Sequence, residues 1–132
     1  MDKSVEKLLA AARECRERAF APYSGFKVGA AVETEDGTIF AGCNVESASY
    51  GLTMCAERVA IFTAVAAGRK RIQRISVVAE SDELTAPCGA CRQVIWEFGG
   101  DIPVLIVNTN GESVERQMSE LLPMAFDSSF LK

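Results

Sequence analysis

The chain contains no histidine. A zinc site in it would draw on cysteine and carboxylate, with no imidazole to complete a four-ligand set. It contains no apolar run long enough to span a membrane. Its opening, MDKSVEKLLAAARE, carries charges within an apolar pattern, which argues against a signal peptide and reads as an amphipathic helix. Positive charge is not in excess. The 14 Lys and Arg face 18 Asp and Glu, a balance of −4 that gives no strong generic attraction to nucleic acid or to an anionic membrane. Repeats, linkers and low-complexity segments are missing as well, so a length of 132 residues is that of one domain, 1–132.

What the chain does have is five cysteines. With no secretory signal they belong to a reducing, cytoplasmic setting. There a C-x-x-C pair serves a metal or catalysis more often than a structural disulfide.

Hydrophobic periodicity places the elements. Val5, Leu8, Leu9, Ala12, Cys15, Ala19 and Phe20 recur at helical spacing and predict one helix, stopped by Pro22. FKVGAAVET alternates, with Phe26, Val28, Ala30 and Val32 on one side, and predicts a strand. Asp36-Gly37 is a hairpin signal, and TIFAGCNV returns as a second strand. A loop over 46–54 leads into a helix from about Cys55 to Ala67, closed by Gly68. RISVVAE is an apolar strand, and a helix from about Cys88 to Phe98 ends at Gly99-Gly100. PVLIVNT is a strand, Asn110-Gly111 a turn, 113–117 a weaker strand, and Ser119 caps a last short helix. The order α-β-β-α-β-α-β-β-α implies right-handed crossovers, with some parallel pairing beside an antiparallel hairpin. The helix from Cys55 is apolar nearly all round, so it packs against the sheet or against another chain.

Cys88 and Cys91, at i and i+3, share one face of a helix start. Cys55 opens a different helix, and Glu57 lies two residues on, ~200° round a helix of about 3.6 residues per turn. Those two converge only at a helix N-terminus, where side chains fold over the open end and thiolate is favoured over thiol. Two such N-termini facing each other suit three thiolates and a divalent cation. Three protein ligands with a fourth position open to water is the pattern of catalytic rather than structural zinc. Arg58, i+3 from Cys55, is placed to donate to thiolate sulfur, and Glu57 to act as general base and then acid. The plainer readings are a redox pair, or half of a zinc ribbon completed by Cys15 or Cys43. Cys15 on the first helix's apolar face and Cys43 in a strand both read as buried hydrophobes. A lone Glu or Arg on a helix is usually a solvated charge, but the combination CAE…PCGAC is far more specific than its parts.

These motifs resemble those of the zinc-dependent cytidine deaminases of the small single-domain type. The likeness covers nearly the whole chain: AFAPYSGFKVGAAV, GCNVESASY, CAERVA, PCGACRQV and ELLPMAF each match a family segment. It implies that Cys55, Cys88 and Cys91 hold one Zn2+ per chain, with Arg58 behind them, and that Glu57 shuttles protons. It implies that Asn44 and Glu46 hold the ribose hydroxyls, in a segment that ends at Tyr50, and that Phe26 packs on the pyrimidine. Backbone groups of Ala56 and Ala86 would orient the base. A three-layer α/β/α sandwich around a mixed five-stranded sheet follows from it too, as does a homotetramer in which Phe126 reaches a neighbouring subunit's site. The implied reaction is hydrolytic deamination of cytidine, and of deoxycytidine, to the uracil nucleoside and ammonia, as in pyrimidine salvage.

The chemistry of the sugar contacts agrees. Asparagine offers a donor and an acceptor, a carboxylate accepts strongly from hydroxyls, and positions i and i+2 of an extended segment point to one side. From pattern alone, Asn44 serves equally as a loop cap and Phe26 as plain core. GLTM at 51–54 offers no motif, which leaves fine substrate choice open. Three rivals stand beside this reading. One is a deaminase of another small cytosine compound such as the antibiotic blasticidin S, against which the Asn-Val-Glu segment argues. Another is a nucleic-acid-editing deaminase, supported only by the basic stretch GRKRIQR at 68–74. The third is a zinc-stabilised binding module without chemistry, against which Glu57 beside an open metal position argues.

Overall fold

The structure is a computed structural model and describes residues 2–131. The first helix, α1 (Lys3–Arg16), starts where Asp2 accepts the amide of Val5 and buries Leu8, Leu9, Ala12 and Cys15 along one stripe. It ends earlier than its periodicity suggests. Tight i+3 bonds close the turn at Glu17, Arg18 and Ala19, and Phe20 is recruited into pairing with the 44–46 segment. Long-range backbone bonds, and not Pro22, therefore set the boundary.

The hairpin forms as expected from β1 (Val28–Thr34) and β2 (Ile39–Cys43), joined across Asp36-Gly37. Then follow α2 (Ala56–Ala66), β3 (Ile72–Ala79), α3 (Gly89–Gly99), β4 (Pro103–Asn108), β5 (Ser113–Gln117) and α4 (Met118–Leu121). The five strands form one sheet in the order β2-β1-β3-β4-β5. β3 and β4 pair in parallel across α3, and the other neighbours are antiparallel. One correction falls on α4. Its cap is Gln117, which exchanges bonds with Glu120 in a capping box, while Ser119 lies inside the helix with its amide on Asp101.

Alternation along the strands divides the core in two. Ala31, Val78 and Val107 face α1, whereas Ala30, Val32, Ile75, Val77, Val104 and Ile106 face α2 and α3. The result is a three-layer α/β/α sandwich on a mixed sheet. Two glycines let the layers close. A Cβ on Gly29 would stand 2.0 Å from the Ala12 carbonyl oxygen, and one on Gly42 would stand 2.4 Å from the Ala60 nitrogen. One glycine thus seats α1 and the other seats α2, on opposite faces of the same hairpin. α2 buries Ala56, Ala60, Ile61 and Ala64, but leaves Phe62 43% exposed, so its apolar surface is not all covered by its own chain.

The candidate metal and catalytic site

Because α2 and α3 both run back against β3, their N-termini meet at the end of that strand. Cys55 is the cap residue of α2 and Cys88 that of α3, both with extended backbone, and neither thiol caps its own helix. Cys91 sits in the first turn of α3, fully buried. The three sulfurs lie within 4.8 Å of one another, and Cys55 and Cys88 are 3.8 Å apart. Tetrahedral ligands at about 2.3 Å from zinc stand ~3.8 Å apart, so the spacing and the all-sulfur donor set fit one Zn2+ per chain. Cys15 is buried on α1 and Cys43 half-buried at the end of β2, and neither joins the cluster.

The charges around the sulfurs are arranged for an anion. Cys55 is pushed down to about 5, first by the hydrogen bond from Cys91 and then by Arg58, against the opposing effect of burial. Cys91 is pushed up, because it holds the proton of that bond and is buried. A dication at the centre would displace that proton, since thiolate and not thiol is the ligand. Arg58 Nη2 lies 3.4 Å from Cys55 Sγ. Its Nε is buried without a partner, an orphaned donor beside a cluster that gains negative charge when the last thiol ionises.

Glu57 is 5% exposed, and burial first, then the charge on Cys55, raise its carboxyl to about 7. It lines a mostly apolar cavity of about 200 Å³ together with Cys55 and Cys88. Phe26, Val28, Val77, Ala79, Thr85 and Ala86 line it as well. Ala56 also lines it, and its amide, at the first helical position, has no acceptor within the helix.

Asn44 is buried at the edge of this cavity and clamps its wall. Its Oδ1 accepts from the Val28 amide at 2.9 Å, and its Nδ2 donates to the Phe26 carbonyl at 2.8 Å. One amide hydrogen and one lone pair remain for a ligand. Glu46 lines a second, adjoining cavity of about 340 Å³ with Tyr23, Ser24, Ser47 and Tyr50. It accepts from the amides of Tyr23 and Ser24 at 3.0 and 3.1 Å and from the Ser24 hydroxyl, and these bonds hold its carboxyl below the usual range. Tyr50 is 78% exposed and meets Tyr23 edge-on. Asn44 and Glu46 thus serve neighbouring cavities.

Phe126 is not among the residues lining either cavity. It is half-exposed, stacks on Phe130 at 5.4 Å, and has its carbonyl held by Gln93 of α3. It does not belong to its own chain's core clusters. Sequence reasoning missed Thr53, which lines both cavities and accepts the Ser47 amide. It lies in a loop with no periodicity, so only the fold reveals it.

Three clustered thiols with a buried carboxyl beside them, at the meeting of two helix N-termini, suit a catalytic zinc site. A family profile described as "Cytidine and deoxycytidylate deaminase zinc-binding region" matches residues 2–108. The cytidine deaminase of Sporosarcina psychrophila is 48% identical over 128 residues, which covers 96% of this chain and 94% of the relative. That of Halalkalibacterium halodurans is 47% identical, covering 96% and 95%. The crystal structure of cytidine deaminase from Burkholderia pseudomallei matches with a TM-score of 0.89 at 50% identity, over 96% of this chain and all of that one. The chain belongs to the cytidine and deoxycytidylate deaminase family.

Proposed function

We propose that the protein hydrolyses cytidine, and deoxycytidine, to the uracil nucleoside and ammonia, a step of pyrimidine salvage. The observation that carries this is Glu57: a carboxyl almost wholly buried, raised towards neutrality, and lining a mostly apolar cavity beside three clustered thiols. Cys55, Cys88 and Cys91 would hold the zinc, which would supply the Lewis acidity that makes water a nucleophile near neutral pH. Arg58 keeps the cluster's negative charge compensated. Glu57 takes the proton released by the attacking water, delivers it to N3 of the ring, and finally serves the departing C4 amine. Phe26 packs against the base, and the Ala56 amide and the backbone at Ala86 orient its edge. The sugar extends past Thr53, where Asn44 and Glu46 take its hydroxyls and Tyr50 borders the opening.

A macromolecular substrate is not supported by the basic stretch. Arg69, Arg71 and Arg74 pair with Asp36, Glu35 and Glu33 at 3.4, 3.5 and 2.7 Å, so their charge is met within the chain. No helix among the described residues is long and apolar enough to cross a membrane. The near full-length likeness to cytidine deaminases supports one domain and a cytoplasmic setting. Phe126, with Phe130 and Leu131 exposed beside it and Phe62 exposed on α2, supports a homotetramer with shared sites. Light scattering should report four chains, and Phe126→Ala should weaken cytidine use more than it lowers Tm. A fully active monomer would remove the shared site. The decisive assay follows the fall in ultraviolet absorbance of cytidine with wild type and Glu57→Gln; no turnover by zinc-loaded wild type would end the proposal.

A further inference from the structure

Arg16, the last residue of α1, has a side chain only 11% exposed. Its guanidinium reaches three partners. Nε donates to the Lys27 carbonyl at 3.2 Å, Nη1 to Glu17 at 3.0 Å and Nη2 to Glu80 at 2.6 Å. The position of those partners in the sheet is the informative part. The antiparallel ladder between β1 and β3 ends at the pair Val28 and Ala79. One step further along, the residues facing each other are Lys27 and Glu80. Arg16 therefore spans the first rung beyond the ladder, where the backbone no longer does.

Beyond that rung the two strands part, past Val28 and Ala79, the last ladder pair, which already line the cavity. One leads to Phe26 and the other, through an irregular stretch, to Thr85, Ala86 and Cys88. The Phe26 side is pinned at successive atoms: its carbonyl by Asn44, the Lys27 carbonyl by Arg16 and the Val28 amide by Asn44. The Glu80 side has Arg16 as its link across the gap. Arg16 itself emerges from a fixed point, because α1 lies so close on Gly29 that an added Cβ would stand 2.7 Å from Arg16 Cβ. Glu17 and Glu80 are 70% and 61% exposed, so the ion pairs add little to stability. Their value lies in geometry. A planar fork reaches three acceptors at once, which a lysine ammonium does not reproduce.

We propose that Arg16 is a positioning residue for deamination, setting the separation of the Phe26 wall from the segment that begins at Glu80 and so the width of the base cavity. This rests on the cytidine reading above. Because Arg16 touches no reacting group, its loss loosens binding of the base and leaves the proton chemistry of Glu57 in place.

The test measures KM and kcat for cytidine, zinc per chain and Tm in wild type, Arg16→Met, Arg16→Lys and Glu80→Gln, and repeats Arg16→Met in a Phe26→Ala background. Arg16→Met should raise KM about tenfold, with kcat and zinc content close to wild type. Glu80→Gln and Arg16→Lys should move KM the same way by less. With Phe26 already removed, Arg16→Met should add little, because the ring it places is gone. Should Arg16→Met fail to fold, Glu80→Gln, which keeps shape and α1, carries the measurement. An unchanged KM in these variants overturns the proposal. So does a fall in kcat at constant KM, or a full multiplied effect in the Phe26→Ala background. Wild type that leaves cytidine untouched overturns the functional reading itself.

Discussion

At the end of the pocket proposed to hold the base, Cys55, Cys88 and Glu57 stand on helix N-termini, and Val77 and Ala79 on a central strand. At the end proposed to hold the sugar, Tyr23, Ser24, Ser47 and Tyr50 stand on connecting segments, with Tyr50 largely in solvent. The first end has an apolar wall and one deeply buried carboxyl, and the second has hydroxyls and a carboxylate already bonded to backbone. On the proposed reading, groups that must meet a reacting atom are held by packed, regular elements, and groups that select the substrate are held by loops tied together by local bonds. A change at the first end should therefore abolish chemistry, and a change at the second should grade it.

The largest effect expected is that of Cys91→Ala. It removes a buried ligand, so elemental analysis should find the zinc lost and turnover with it. A variant that kept one zinc and full activity would break the contrast at its strong end. Next is Glu57→Gln, which preserves shape and zinc while removing the proton carrier. Its kcat should fall by about 10²–10⁴ or more, since one carboxyl serves several transfers. Near-normal turnover would show that another group carries the proton.

At the sugar end Glu46→Ala should lower kcat/KM by about tenfold or more through lost hydroxyl contacts, with zinc unchanged. Asn44→Ala divides differently. It strips partners from the Phe26 carbonyl and Val28 amide, so its drop in Tm should exceed that of Glu46→Ala while its direct effect on sugar recognition is smaller. Finding zinc loss in Glu46→Ala would mean the two ends are not separable. The smallest effect belongs to Cys15→Ala and Cys43→Ala, which should keep the full zinc content. Metal loss in either would reopen a four-sulfur structural site.

The base end was also the legible one. Three thiols and a carboxylate at the right intervals before two apolar helical runs are local signals, and local signals survive in a linear reading. The order of elements was legible for the same reason, because periods of two and 3.6 residues are properties of short windows. The end of α1 was not. Ala19 and Phe20 satisfy the helical period, yet Phe20 is taken by the 44–46 segment, a partner more than twenty residues away. Thr53 and Arg16 escaped for the same reason: their importance comes from what lies across space. At α4, Ser119 was the expected cap, and the reciprocal bonds between Gln117 and Glu120 put the cap two residues earlier.

Gly42 sits on β2, two residues before Asn44 and thirteen before Cys55. The methyl of an alanine there would press at 2.4 Å on the Ala60 nitrogen and at 2.8 Å on the Ala56 oxygen, the first turns of the helix that carries Cys55 and Glu57. That backbone has no flexible end to swing aside, so the whole helix would have to ride outwards and take its thiol and carboxyl along. A glycine codon is one base change from an alanine codon. For a lineage carrying this gene, the gentlest available mutation in an unremarkable hairpin would therefore be inherited as a damaged enzyme.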